Sequence, residues 1–315
     1  DGEIWIDTDT NLLKISDGTT AGGVVITTDG AGVANVAWAA ITDINNAAGP
    51  VNVAIGQDAG ETDQSSKAIA IGKQAGKTTQ GTSSIAIGEQ AGETTQGESS
   101  VAIGTLAGNV TQTQYAIAVG NGAGQTNQGA GIAIGMHSGK DNQSGNGIGI
   151  GFEAGKTTQS QHGVAIGALA GKTTQGESSV AIGRQAGQTT QSTQSVAIGQ
   201  QAGQTTQSEK SVAIGPFAGM TTQGDRAVAI GHNAGKDNQG DKAVAIGTNA
   251  GATNQAANSI VINATGIIVE NVQPDSFVVQ PVRNFSNAAA LPTGFKQVAY
   301  NPTTGEFVYY GVAGT

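Results

Sequence analysis

The sequence predicts an all-β protein, a parallel β-solenoid built from sixteen-residue coils with short β modules at both ends. Three observations predict it. The string G-x-x-A-G-x-x-x-Q recurs thirteen times, with Ser138 standing once for the Ala. Its spacing is 16 residues in eleven of twelve intervals and 15 once, between Gly120 and Gly135. The chain also holds 50 Gly but only 6 Pro among 315 residues, which suits tight, regular turns and contains no collagen triplets.

Each unit opens with a strand such as Val101-Ala102-Ile103, in which Val and Ile share one face and Ala takes the other. A Gly turns the chain, an x-x-Ala segment follows, and a second Gly turns it again. A polar stretch such as Thr94-Thr95-Gln96 leads back to the next strand. Sixteen residues are too few for a helix pair but suit one solenoid turn, with strands stacked ~4.8 Å apart. Thirteen coils then make a rod about 60 Å long.

Stacking sets identical residues above one another. Gly56, Gly60 and Gln64 begin three columns that run through Gly104, Gly108 and Gln112 to Gly199, Gly203 and Gln207. The Gln column has two readings, an amide ladder from coil to coil or a side chain that caps a turn. A strand apolar on both faces is usually covered on both, and one coil offers little to a core of its own. The expectation is that the Ala face packs on sister chains, most simply as a homotrimer about the rod axis. The competing reading is a monomeric solenoid with an Ala-rich outer face.

The strings Ser100-Val101-Ala102-Ile103-Gly104, Ser179-Val180-Ala181-Ile182-Gly183, Ser195-Val196-Ala197-Ile198-Gly199 and Ser211-Val212-Ala213-Ile214-Gly215 resemble the head repeats of YadA-like trimeric autotransporter adhesins. The resemblance covers residues 53–263 and implies a left-handed β-roll in which three chains pack side by side. Each unit here is about two residues longer than in that family, mostly in the T-T-Q stretch. The family's coiled-coil stalk and membrane anchor have no counterpart in these residues. The flanks resemble a different group. Glu3 to Asp7 and Leu12 to Ser16 form an expected hairpin around Thr8 to Asn11, similar to one common in phage tail-fibre proteins. Val298 to Tyr309 reads as a second hairpin. With Phe277 to Arg283 it is similar to the C-terminal parts of fibre proteins in phages and large DNA viruses.

The chain therefore divides into an N-terminal hairpin module (1–28), a linker into the roll (29–52), the roll (53–263) and an aromatic-rich C-terminal module (264–315). Trp5 and Trp38 are expected to pack the N-terminal module. The last segment is either a trimeric cap, because solenoid ends expose unpaired strands, or a receptor-binding tip. Asp1 in place of an initiator Met is read as a piece of a longer or processed product.

Composition bounds the chemistry. The net charge is −9, with no stripe of Lys and Arg, which disfavours nucleic acid as a partner. Cysteine is absent, and no apolar run approaches the ~20 residues of a membrane-spanning helix. Carboxylates do not recur at fixed places, as a calcium-binding roll requires, and no acid pair of a glycosidase is identifiable. His137, His162 and His232 lack ligand spacing. The Thr pairs, such as Thr78-Thr79, fit β-propensity and solubility better than ice binding, because Asp63, Asn127 and Asp141-Asn142 interrupt them. The expectation is a non-enzyme with no catalytic residue, metal or cofactor.

The variable slots after each first Gly hold the apolar Leu106, Met136, Phe152, Leu169 and Phe217, and Leu106, Tyr115, Met136, His137, Phe152 and Phe217 are the candidate receptor or inter-chain contacts. The function expected from all of this is a structural virion fibre, tail-fibre-like, whose rigid trimeric shaft supports host attachment. Its partners would be sister chains, other virion tail or capsid proteins and a host-surface glycan or protein receptor. The alternative is a bacterial cell-surface trimeric adhesin head that binds host or matrix ligands directly.

Overall fold

The computed structural model describes residues 52–282 throughout, together with the strand backbones Ile4–Asp7, Leu12–Ile15, Val24–Val25, Gln297–Asn301 and Glu306–Tyr310. No helix occurs among them.

Two parallel sheets run the length of the roll. One has 15 strands, from Val53–Ile55 to Phe277–Gln280. The other has 10, from Thr79–Gln80 to Thr222–Gln223. Register follows the repeat, so that like sits on like. Val180 pairs with Val196, Ala181 with Ala197 and Ile182 with Ile198. In the second sheet Thr190 pairs with Thr206 and Gln191 with Gln207. The corners are laddered too. Gln185 N–H donates to Ala168 O and Gly187 N–H to Ala202 O, each at 2.9 Å. Successive coils thus satisfy each other's backbone groups around much of the circuit.

The interior holds no large apolar side chain along most of its length. The core clusters are columns of Ala, with Val261 and Val269 joining only at the C-terminal end. The largest fully buried side chains are twelve Gln, from Gln80 to Gln255. Each Gln amide crosses the coil to the opposite sheet. Gln175 Nε2, for example, donates to Val164 O at 2.7 Å. It also donates along the axis to Gln191 Oε1 at 3.2 Å. The amide ladder runs from Gln64 to Gln255 with one gap, at Gln96, whose buried Oε1 has no partner. A turn-capping Gln would not make these axial bonds.

The strand faces are the reverse of the expectation. Ala102, Ala181 and Ala197 are fully buried, while Val and Ile on either side of them point outward. The physical reason is the thickness of the coil. A Gln side chain fills the gap between the two sheets, and only a methyl group fits opposite it. The Ala face therefore closes the coil's own core, and the face left for neighbours is Val and Ile.

The Ala column also breaks once without opening a hole. Gly149 replaces Ala where Ser138 replaces the corner Ala, and a Cβ on Gly149 would lie 2.7 Å from Ser138 Oγ. The two exceptions compensate each other.

The sheet does not end at Asn263. Phe277–Gln280 stacks in parallel on Ile260–Asn263, Phe277 on Ile260 and Val279 on Ile262. Val278 packs against the core cluster as an Ala would in the coils below. The expected start of a separate module at residue 264 is thus displaced, because Phe-Val-Val repeats the outward-inward-outward pattern after a longer connection. Asn263 holds that connection, donating to Thr248 O at 2.8 Å and Ile267 O at 2.6 Å.

At the flanks, Ile4–Asp7 pairs antiparallel with Leu12–Ile15, and Val24–Val25 adds a third strand. Gln297–Asn301 pairs antiparallel with Glu306–Tyr310. Trp38 lies outside the described residues, as does the expected linker up to residue 51.

Candidate functional site: an apolar ribbon between variable corners

The outward face of the long sheet is two columns of Val and Ile, running from Val53 and Ile55 to Ile260 and Ile262. They are not shielded by the chain. Ile103, Ile166, Ile230 and Ile262 are 37–38% exposed, and the first-column residues are half-buried as far as Val244, with Ile260 at the end exposed. An apolar strip of this length far exceeds the patches that monomers leave in water. Sequence reasoning missed these residues as a surface. The signal was present, in that i and i+2 of every strand are larger than the residue between them.

The ribbon has two edges. The corner that follows each strand is G-x-x-A-G, and its second variable residue sits at positive φ in every full coil. Leu106 (φ 59°), His137 (55°) and Phe217 (60°) occupy that slot and are half-buried. Met136 and Phe152 occupy the slot before it, in adjacent coils, and are 46% and 43% exposed. Tyr115, 63% exposed, lies on the opposite corner, which precedes the strand. The six candidate contact residues therefore do not form one site. Met136, His137 and Phe152 come together; Leu106 and Tyr115 lie on neighbouring coils, and Phe217 lies coils away, edge-on to His232 at 5.8 Å. His137 Nδ1 is buried without a partner over Gly122, where a Cβ would come within 2.7 Å of it.

Charges sit at the corners and pair along the axis. Glu153 accepts from Lys156 at 2.6 Å and from Lys172 of the next coil at 2.8 Å. The two ammonium groups hold its carboxyl below the usual carboxylate range, Lys156 first. Lys77 bridges Asp58 and Glu61 at 3.8 and 3.5 Å. Among the described residues no group of three or more His, Cys, Asp or Glu is placed to hold a metal ion. No described helix is long and apolar enough to cross a membrane.

On the second sheet, Thr111, Asn127 and Asn142 line a shallow depression beside the fifteen-residue coil. Its amides are used internally, Asn127 Nδ2 donating to Asn142 Oδ1 at 3.1 Å.

A parallel β-solenoid with sixteen-residue coils, a polar-amide core and an apolar outer ribbon is a surface-forming rod rather than a closed domain. The family model for the YadA head domain repeat matches residues 80–107, 209–234 and 239–262, about a quarter of the chain. The roll is thus similar to a YadA head, as its strand motifs indicated. No curated protein and no solved structure matched the chain.

Proposed function

We propose that this chain is the head region of a homotrimeric surface adhesin, in which three rolls share their Val/Ile ribbons and present the corners and the Thr-bearing sheet outward. The observation that carries the reading is the ribbon. It is apolar for the full length of the roll, uncovered in the single chain, and belongs to a coil whose own core contains mostly Ala and Gln. Burying each Ile or Val further stabilises the assembly by on the order of 1 kcal/mol per side chain, summed over the rod. The YadA head repeat supports the same reading, because that family's heads are trimeric and face outward from the cell. Adhesion then works by rigidity and valency, with three identical faces binding together more tightly than one. No catalytic role is assigned to any residue.

A virion fibre is the second reading. What favours it is the pair of antiparallel hairpins flanking the roll, Ile4–Asp7 with Leu12–Ile15 and Gln297–Asn301 with Glu306–Tyr310. The matched repeat weighs toward the cell surface. Immunogold labelling with antibody raised against the roll separates the two. Label on the outer surface of the producing bacterium is expected. Label confined to purified phage particles would reverse the order of the readings.

A further inference from the structure

The ribbon repeats itself in every coil, so by itself it does not set the height at which two copies meet. Sliding one roll past another by one coil moves it ~4.8 Å and exchanges each Val or Ile for an equivalent one. A single register needs a feature that breaks the repeat.

One coil carries two such features, on opposite edges of the strand Ile132–Ile134. On the corner after the strand stands Met136, with Phe152 directly above it in the next coil. Elsewhere that slot holds polar or charged residues such as Gln57, Lys73, Asn121 and Arg184, or the smaller Ala168 and Pro216, so only here do two adjacent coils stack large apolar side chains into a knob. On the corner before the strand the chain is one residue short. Gly131 N–H donates to Gly129 O at 2.6 Å, closing a three-residue turn. The coils on either side close a four-residue turn instead, Ala116 N–H to Thr113 O at 3.3 Å and Gly147 N–H to Ser144 O at 3.2 Å. The short corner carries only Ala130 where its neighbours carry Tyr115 and Asn146, and so forms a notch.

We propose that Met136 and Phe152 of one chain seat against the notch at Gly129, Ala130 and Gly131 of an adjacent copy of the same chain, and so fix the axial register of the assembly. The inference rests on the homotrimeric reading above. Rotation about an axis parallel to the rod brings the following corner of one copy against the preceding corner of the next without changing height. Met136 and the notch lie on one coil, with Phe152 one coil above, so the contact closes in register. A copy of this chain is the fitting occupant, because it carries a ribbon of the same period. Larger slips are opposed differently. Farther along, the preceding corner holds Lys210, Arg226 and Lys242, cations that an apolar knob does not match.

The chain has no cysteine, which permits a clean test. Gln194→Cys with Gln200→Cys places thiols on the two corners of one distant coil. His162→Cys with Gln200→Cys, and Arg226→Cys with Gln200→Cys, pair thiols two coils apart, an offset of ~9.6 Å. A disulfide requires Cα atoms within ~7 Å, so each pair links only between chains whose heights match it. After oxidation of the full chain, covalent trimers are expected from the same-level pair alone. Adding Met136→Gln and Phe152→Gln, or inserting one Ser between Gly129 and Ala130 to fill the notch, should bring off-level products to yields comparable with the same-level pair. A trimer that links equally at all levels without those changes, or at none, or whose pattern the changes leave unaltered, would overturn the register proposal alone. A monomer in light scattering would overturn the homotrimeric reading and this one with it.

Discussion

The two glycines of each coil do different work, and substitution should tell them apart. Gly171 has φ +52°, and a Cβ there would come within 2.9 Å of the Gln175 amide, which would have to give up hydrogen bonds to move aside. Gly167 has φ +122°, and its Cβ would meet the backbone carbonyl carbon of Gly183 at 2.9 Å. That backbone is locked in the ladder. Gly171→Ala is expected to destabilise its coil by about 1–3 kcal/mol, and Gly167→Ala by at least as much as the top of that range. Hydrogen exchange of the amides between residues 160 and 190 measures both. Gln175→Leu keeps the volume but strands Val164 O and removes the acceptor of Gln159 Nε2. Each unmade buried bond costs about 1–3 kcal/mol, so protection of the same amides should fall clearly. Glu153 sets a pH dependence. Its carboxyl titrates below its ordinary value in the folded roll, so its contribution is present above the unfolded value of 4.5 and lost as pH falls through the folded one. At a solvent-screened corner this amounts to no more than ~1 kcal/mol. Glu153→Gln should reduce the loss of thermal stability between pH 6 and pH 3 by about that much, and leave the remaining acid sensitivity unchanged.

The coil is the unit at the scale of elements. Its strands bond to the coils before and after, and the register offset equals the repeat, so coils are interchangeable wherever the columns match. Deleting residues 176–191 brings Gln175 into register with Gln207 and keeps every column aligned. A folded rod shorter by ~4.8 Å is expected, with its far-ultraviolet dichroism retained. Deleting half that length sets the Gln column against the column of first corner glycines, Gln175 against Gly199, and unfolding of the coils around the junction is expected. Circular dichroism and small-angle scattering check both. The natural deletion between Gly120 and Gly135 shows which part of the coil tolerates change. Both strands pass it in register, Ile117 on Ile132 and Gln112 on Gln128, then Gln128 on Gln143, and the corner at Gly129–Gly131 absorbs it.

For the whole molecule the deciding surface is the ribbon. Ile182→Glu and Ile198→Glu place charges on its second column, where burial against another chain is strongly disfavoured. Light scattering should give the mass of three chains for the unaltered protein and of one for the double variant, with the roll's dichroism retained because neither side chain enters its core. A monomeric unaltered chain would sink the trimer.

Much of this was legible in the residues. The spacing of Gly56, Gly60 and Gln64 by itself determined the coil length, the parallel stacking and the columns, since a repeat that keeps every position in phase has only one way to satisfy its backbone. The Gln column was legible as a ladder or a cap, and only coordinates placed its amide across the coil. What the tertiary structure alone decided is which way the strand faces. Val-Ala-Ile is apolar on both sides, so hydrophobicity does not choose between them. The choice falls to space, because the Gln side chain leaves room for a methyl group inside and sends Val and Ile out.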